Sequence, residues 1–348
     1  MATTRFYKSY ISGLCLFLLL SSCHKEKQVL NLEPKEFEIQ TPSGFPEMVF
    51  PADNQFSLER WELGKKLFYD PILSRDSSLS CASCHKQNLG FADDKAFSLG
   101  IANRPGTRNA SSLANIGYHP YFLREGGVPT LEMQAIVPVQ EHNEFDHSMP
   151  EIAEKLRLRS DYLAMSEAAY NRLPDPWVIT RALGVFQRSL ISGNSPYDRY
   201  TFEDDNDALN ASQLRGKALF FSDRTRCSQC HSGFNFTNYS IVNNGLDSLY
   251  QDPLLMRLTN NPSDEGKSKV PSLRNLGFTA PYMHDGRFEN LSQVIDHYQN
   301  GGKSHPNQSL LVRPFHLSEQ EKLDLIAFLH CLNDSAFCNN PFFAESNN

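Results

Sequence analysis

The sequence predicts a mainly α-helical chain made of two related halves covered by long irregular loops. Three observations lead there. Apolar residues recur at helical spacing behind recognisable helix starts, a Gly-Lys-Xaa-Leu-Phe segment occurs twice ahead of a cysteine pair, and the stretches between helices are long and without period. At about 150 residues per domain, a chain of 348 residues accommodates two compact units. Its 40% apolar and 11% aromatic content suffices for real cores and excludes disorder and collagen-like repeats. With 21% charged residues and a net charge of -7, the chain offers no basic surface, which excludes binding along a nucleic-acid backbone.

At the amino terminus, Arg5 and Lys8 precede an apolar run from Ile11 to Leu20 that is too short to span a bilayer and ends in Leu20-Ser21-Ser22-Cys23. Residues 1–22 therefore read as an export signal. Small residues before a cysteine resemble the lipobox of bacterial lipoproteins, which makes Cys23 the lipid-bearing first residue of the mature chain and its sole membrane contact. An ordinary secretory signal with an incidental cysteine is the alternative. Residues 23–50 are polar and carry Lys25, Glu26, Lys27, Glu33, Lys35, Glu36 and Glu38 among prolines, as a solvated tether does. Folded structure is expected to begin near Phe56.

Gly64-Lys65-Lys66-Leu67-Phe68 precedes Cys81, and Gly216-Lys217-Ala218-Leu219-Phe220 precedes Cys227. This is the duplication of a domain-sized unit, with halves at 51–204 and 205–340 and a boundary between Tyr200 and Asn210, where Glu203-Asp204-Asp205 and Asp207 mark a linker. Asp175-Pro176 starts a helix carrying Ile179, Ala182, Leu183, Phe186 and Leu190 on one face. Ser148 with Glu151, and Ser318 with Glu321, form capping boxes. Lys86 to Pro129 and Ser232 to Asp285 are irregular and too extended for a plain bundle. Long loops in a compact chain wrap something.

What they wrap is indicated by Cys81-Ala82-Ser83-Cys84-His85 and Cys227-Ser228-Gln229-Cys230-His231, two copies of the pattern for covalent c-type haem attachment. Two thiols three positions apart reach the two vinyl groups of one haem, and the next residue offers an imidazole to the iron. Zinc binding or disulfide shuttling competes for an isolated CxxC. Export, the histidine after each pair, and the duplication favour two haems in two cytochrome-c-like domains packed through a shared interface. Cys331 and Cys338 remain, either as a disulfide pinning the carboxyl-terminal tail or as buried thiols.

The order of further segments resembles the bacterial dihaem cytochrome c peroxidases and their MauG relatives over roughly Phe56 to Leu332. These segments are Leu63-Gly64-Lys65-Lys66-Leu67-Phe68-Tyr69-Asp70-Pro71, Leu79-Ser80-Cys81, Arg108-Asn109, Leu131-Glu132-Met133-Gln134, Leu273-Arg274-Asn275 and Thr279-Ala280-Pro281-Tyr282-Met283-His284-Asp285-Gly286. The resemblance implies that the first haem is peroxidatic and that the second passes or stores electrons. It puts Gln134, Pro138 and Glu144 in the distal pocket of the first haem, with Glu144 as acid/base group. It also implies a calcium ion held by Asn109, Thr279 and Pro281, an oxygen set suited to a hard cation, and a homodimer as the common assembly. Without the resemblance, Glu144 is one carboxylate in a polar loop beside Glu141 and Asp146, and Asn109 is a turn cap.

Three positions depart from the family pattern. Where the resting peroxidases place a distal histidine, the aligned loop carries Ile101, and no histidine occurs between His85 and His119, so the first haem is expected to be open without reductive activation. Where the peroxidases carry an axial methionine and MauG a tyrosine, Tyr298 stands at helical spacing from Leu291 and Val294, ahead of Asn300-Gly301-Gly302. A core tyrosine is the plain reading, and His297 and Met283 are rival ligands. A tyrosine ligand favours ferric iron, whereas methionine raises the potential. Where the family has a tryptophan between the haems, Phe122-Leu123-Arg124-Glu125-Gly126-Gly127 places Arg124, a cation that cannot relay a hole as an indole does, with Tyr118, Tyr121 and Phe122 nearby.

The expected function is reduction of hydrogen peroxide at the His85 haem, with electrons arriving through the His231 haem from a small periplasmic c-type cytochrome or cupredoxin. A MauG-like oxidase that takes electrons from a partner protein is the second reading. A non-catalytic dihaem electron carrier is the third.

Overall fold

The computed structural model describes residues 1–3 and 38–346, so Cys23 and the apolar run of the signal lie outside the described residues. Residues 38–346 belong to one compact unit and are mainly helical. Helices α1 (Leu58–Tyr69), α2 (Leu131–Gln134), α3 (Ile136–Gln140), α4 (Met149–Arg157), α5 (Ser160–Tyr170), α6 (Pro176–Arg188) and α7 (Pro196–Phe202) come first. They are followed by α8 (Ala211–Phe220), α9 (Cys227–Cys230), α10 (Met256–Thr259), α11 (Leu291–Gln299), α12 (Glu319–His330) and α13 (Ser335–Cys338). A short antiparallel pair, β1 (Ile241–Asn243) and β2 (Lys267–Lys269), sets Val242 opposite Ser268 within the second long loop.

The helix starts follow from capping chemistry. The Asp175 carboxylate accepts the Val178 N–H at 2.8 Å with Pro176 at the first helical position, where its missing N–H costs nothing. Ser318 and Glu321 close a reciprocal capping box. Ser148 caps α4 differently: its hydroxyl accepts from the Glu151 N–H and donates to the Glu151 carboxylate at 2.6 Å, so that carboxylate is not spent on the cap's own N–H. On α6 the expected face is fully buried, and so are Val178, Val185 and Arg188, because helices pack on more than one side of it.

The duplicated Gly-Lys-Xaa-Leu-Phe segments explain themselves at two helix crossings. A Cβ on Gly64 of α1 would lie 2.0 Å from the Ala182 carbonyl oxygen of α6, and one on Gly216 of α8 would lie 1.9 Å from the Asp324 carbonyl oxygen of α12. Only glycine lets the backbones approach so closely. One turn later the motif's phenylalanine packs on its partner, with ring centroids 5.1 Å apart for Phe68–Phe186 and 5.2 Å for Phe220–Phe328. Phe91 joins the first pair and Phe236 the second.

Two buried apolar clusters grow from these crossings. The first runs from Trp61 to Leu190 and takes in Phe337, Cys338 and Phe343 from the end of the chain; the second runs from Tyr197 to Leu332. Docked structure starts earlier than the sequence implied, because Phe45 packs edge-on against Phe234 at 4.7 Å and Asn54 is fully buried against Glu132 and the Arg181 carbonyl. Cys331 and Cys338 are free buried thiols and form no disulfide. Cys331 lies in the second cluster, where its thiol donates to the Ala327 carbonyl, whereas Cys338 packs in the first.

Replacing Gly64 or Gly216 by alanine is expected to lower the melting midpoint of the holoprotein by several degrees, equivalent to about 1–3 kcal/mol of overpacking. The two losses should add, because the sites sit in separate clusters. An unchanged midpoint in either variant would mean that the crossing has room for a methyl group.

Candidate functional site

Each crossing leads into a cysteine pair. Cys81–Ser83 form a single 3₁₀ turn and Cys227–Cys230 form α9, and in both the histidine N–H bonds back to the first cysteine carbonyl, at 2.9 Å for His85 and 2.9 Å for His231. The imidazoles are oriented alike. His85 Nδ1 lies 2.9 Å from the Phe91 carbonyl oxygen, and His231 Nδ1 lies 3.1 Å from that of Phe236. A carbonyl only accepts, so Nδ1 carries the proton and Nε2 keeps its lone pair, the form in which histidine binds a metal. Burial lowers both imidazole pKa values, that of His231 to about 4, so both rings are neutral at pH 7.

Phe91 and Phe236 were not singled out from the sequence. Both adopt left-handed backbone conformations, with φ of 59° and 50°, which bulky residues rarely take. Their rings are fully buried in the aromatic trios behind the helix crossings, and this packing holds the carbonyls toward the histidines. The available signal was a glycine shortly before each, Gly90 and Gly233, both also at positive φ.

The cysteines fit a large enclosed group. Burial pushes the Cys81 thiol up to about 12 and raises that of Cys84, yet both side chains retain accessible area, so that area faces a hollow inside the protein. A cavity of about 500 Å³ is lined by Leu79, Ser83, Cys84, Asp93, Leu99 and Gly100, within the usual range for ligand sites. With Cys84 on this cavity, Cys81 three positions before it and a ligand-ready imidazole next in the chain, the residues fit covalent haem. Bound there, haem iron supplies the oxidation–reduction chemistry.

Of the distal residues expected from the resemblance, Glu144 lies near the first pair and Pro138 is bonded beside it. Gln134 ends α2 and Pro138 lies in α3, one turn apart. The ring of Pro138 cannot take the Gln134 carbonyl as a helix partner, and the helix is interrupted at Ala135 between them. The Phe145 N–H bonds to the Pro138 carbonyl at 3.2 Å, which brings the neighbouring Glu144 to the same place. Glu144 acts electrostatically on both Cys81 and Cys84. Its side chain is exposed by surface area, yet many protein atoms stand around its carboxyl. That enclosure, reinforced by Glu141, pushes its carboxyl up to about 7.

Ile101 is buried and donates its N–H to the Glu144 carbonyl at 3.0 Å. The approach requires Gly100, whose Cβ would lie 1.9 Å from the Asn143 carbonyl oxygen. His119 points elsewhere: its Nδ1 accepts from Lys269 at 2.9 Å, and burial with that positive neighbour drops its pKa to about 3.

On the second side, Tyr298 is enclosed beside Cys227 and Cys230, and burial pushes its phenol up to about 12. Asn244 joins the three candidate ligands: its side chain bonds the Tyr298 hydroxyl and donates to Met283 Sδ at 3.5 Å, while its carbonyl accepts from His297 Nε2 at 3.0 Å. That bond commits the Nε2 of His297 to the backbone.

The duplication reaches further than the cysteine motifs. Asn115-Ile116-Gly117-Tyr118 and Asn275-Leu276-Gly277-Phe278 form equivalent turns with the asparagine at φ of 58° and 62°, and each asparagine N–H bonds the end of the helix across the crossing, at Leu190 and Leu332. At a constant offset, the bridge Phe122–Val128 matches Tyr282–Phe288, and α2 matches the start of α11. The same offset makes Arg124 the counterpart of His284 and Pro138 the counterpart of Tyr298. Where one half presents a phenol, the other presents a proline ring without a donor atom.

Asn109 is buried, donating Nδ2 to the Lys95 carbonyl at 2.9 Å and its N–H to the His284 carbonyl at 2.8 Å. Its own carbonyl and Oδ1 face the Arg124 guanidinium. Thr279 and Pro281 stand in the 279–286 loop.

Residues 58–206 match the profile of a family described as di-haem cytochrome c peroxidase. The chain is 35% identical over 302 residues to methylamine utilization protein MauG of Methylorubrum extorquens, covering 82% of this chain and 82% of that protein. The chain belongs to the di-haem cytochrome c peroxidase family. It is also 36% identical over 327 residues to cytochrome-c peroxidase IdrP1 of a Pseudomonas species, with 83% of this chain and 85% of that one covered. A crystal structure of a MauG-like protein associated with microbial copper homeostasis superimposes with a TM-score of 0.84 at 32% identity, over 88% of this chain and 99% of that one. Membership implies two haem c groups as cofactors.

For the second haem, His297→Gln is expected to leave the ferric absorption spectrum in place, whereas Tyr298→Phe alters it. The opposite pattern in the purified variants would assign the ligand to His297.

Proposed function

We propose that this chain reduces hydrogen peroxide to water at the haem carried by Cys81, Cys84 and His85. Electrons arrive through the haem carried by Cys227, Cys230 and His231, from a small periplasmic c-type cytochrome or cupredoxin. The observation that carries the reading is Glu144, an enclosed carboxyl beside the first cysteine pair with its pKa raised to about 7. A passive electron carrier has no use for such a group. Peroxide cleavage does, because one oxygen must lose a proton and the departing one must gain a proton, and a group poised near the working pH does both.

Glu144 takes the proton at a carboxylate oxygen and returns it to the departing oxygen. The Gln134 amide orients peroxide by hydrogen bonding, and Pro138 and Ile101 wall the site without offering a competing ligand. With two electrons and two protons, each peroxide yields two waters. Tyr298 would hold the second haem's iron, and as a hard oxygen donor it would favour the ferric state.

A MauG-like oxidation of a partner protein is the second reading, favoured by Tyr298 beside Cys227 and Cys230 and by Ile101 in the loop against Glu144. In either reading the two buried clusters are the cores of two cytochrome-c-like domains, 51–204 and 205–340, that share an interface. The exported chain is held at a membrane by lipid on Cys23, and it pairs as a homodimer. Among the described residues, no helix is long and apolar enough to cross a membrane.

Glu144→Gln is expected to slow peroxide turnover by about 10²–10⁴-fold, the usual span for a lost acid/base group, with a nearly unchanged resting spectrum. In the wild type, kcat/KM for peroxide should rise with pH through about 7 as the carboxylate ionises, and the variant should lose that inflection. Because the folded pKa is raised, the wild type loses stability as pH climbs from the ordinary carboxylate value of 4.5 to about 7 and no more above that, so the variant's melting advantage should grow across that window and then level off. Wild-type kinetics in the variant would remove Glu144 from the mechanism.

A further inference from the structure

At Asn109, one of the three residues that the family resemblance assigns to calcium, both oxygens face a side chain. Arg124 Nη2 donates to the Asn109 carbonyl at 2.7 Å and lies 3.4 Å from Asn109 Oδ1. The remaining groups of Asn109 are spent on the Lys95 and His284 carbonyls, so this residue links three separate segments. Backbone pairing fixes Arg124 in turn, since its carbonyl accepts the Lys269 N–H at 2.7 Å.

Charge around this point speaks against a second cation. Arg108 and Lys269 stand close enough to Arg124 for repulsion to be felt, and with burial they hold its pKa down to about 10 and that of Lys269 to about 8. The neighbouring carboxylates are paired with other guanidinium groups: Glu125 Oε1 with Arg108 and Arg257, Asp252 with Arg108, and Asp285 with Arg287, while Glu125 Oε2 is buried without a hydrogen-bond partner. Calcium takes six to eight oxygens and gains its affinity from carboxylate charge. A divalent ion here would compete with guanidinium groups for the carboxylates and would have to displace one from Asn109.

We propose that Arg124 is the structural cation of this chain, its guanidinium taking the place of calcium at Asn109 and fixing without a metal the residue whose N–H holds the His284 carbonyl of the 279–286 loop. A permanently charged planar group with several N–H donors suits two oxygens of one asparagine better than a point-like ammonium does. The same substitution that removes an indole from the interhaem region thus supplies the missing charge.

The test uses the holoprotein dialysed against EGTA, followed by elemental analysis for calcium and melting with and without millimolar calcium chloride. The wild type is expected to contain no stoichiometric calcium and to melt at the same temperature under both conditions. Arg124→Ala should melt several degrees lower, and calcium chloride should restore part of the loss by filling the vacated oxygens. If Arg124→Ala does not accumulate, Arg124→Gln, which keeps an N–H donor but no charge, should show the same calcium dependence. One calcium per wild-type chain after dialysis, a wild-type midpoint that falls in EGTA and recovers with calcium, or unchanged melting in both variants would overturn the proposal.

Discussion

Backbone contact at two glycines underlies the architecture. Where Gly64 meets the Ala182 carbonyl and Gly216 meets the Asp324 carbonyl, the helix axes are drawn so close that a phenylalanine one turn on must stack against a partner on the other helix. A third ring, Phe91 or Phe236, closes each trio, and its carbonyl sits where it can receive the histidine Nδ1 proton. Apolar packing at a helix crossing is thereby converted into the orientation and tautomer of an imidazole some distance away. The left-handed backbone of the third phenylalanine costs about 1–2 kcal/mol, which burial of an aromatic ring readily offsets.

Two copies of one frame differ in what they present to their hollows. Under the proposed function, the match of Pro138 with Tyr298 means that a single position decides whether the face opposite the histidine offers an oxygen or a bare ring. Glu144 and the Ile101 loop then furnish the face that offers none, and Asn244 gathers Tyr298, Met283 and His297 at the other. Division of labour between the halves needs few residues, because the scaffold is already fixed by the crossings and the asparagine turns.

Much of this was legible in the sequence, for identifiable reasons. Cysteine pairs, caps and the glycine motif announce themselves because their chemistry is local in the chain: Asp175-Pro176 needs only the next three residues to act as a helix start. Gln134, Pro138 and Glu144 became candidates through resemblance alone, since a carboxylate beside Glu141 and Asp146 looks solvated until its enclosure is known. What stayed hidden depends on distant partners. Phe91 and Phe236 matter through aromatic neighbours far along the chain, and the docking of Phe45 depends on Phe234. The free state of Cys331 and Cys338 follows from which cluster each joins. Arg124 read as a defect in a relay; its contact with Asn109 is invisible without coordinates.

The end of the chain returns to the first cluster. Phe337 stacks on Phe91 at 5.5 Å, the Tyr69 hydroxyl donates to the Phe343 carbonyl at 2.6 Å, and Gln87 donates to the Asn340 carbonyl at 2.7 Å. The support behind the earlier imidazole therefore comes from a segment made after the second half, whose own buried cluster contains none of it. Chronology and sequence order run in opposite directions: the half that is made first cannot close its interior until that later segment has emerged.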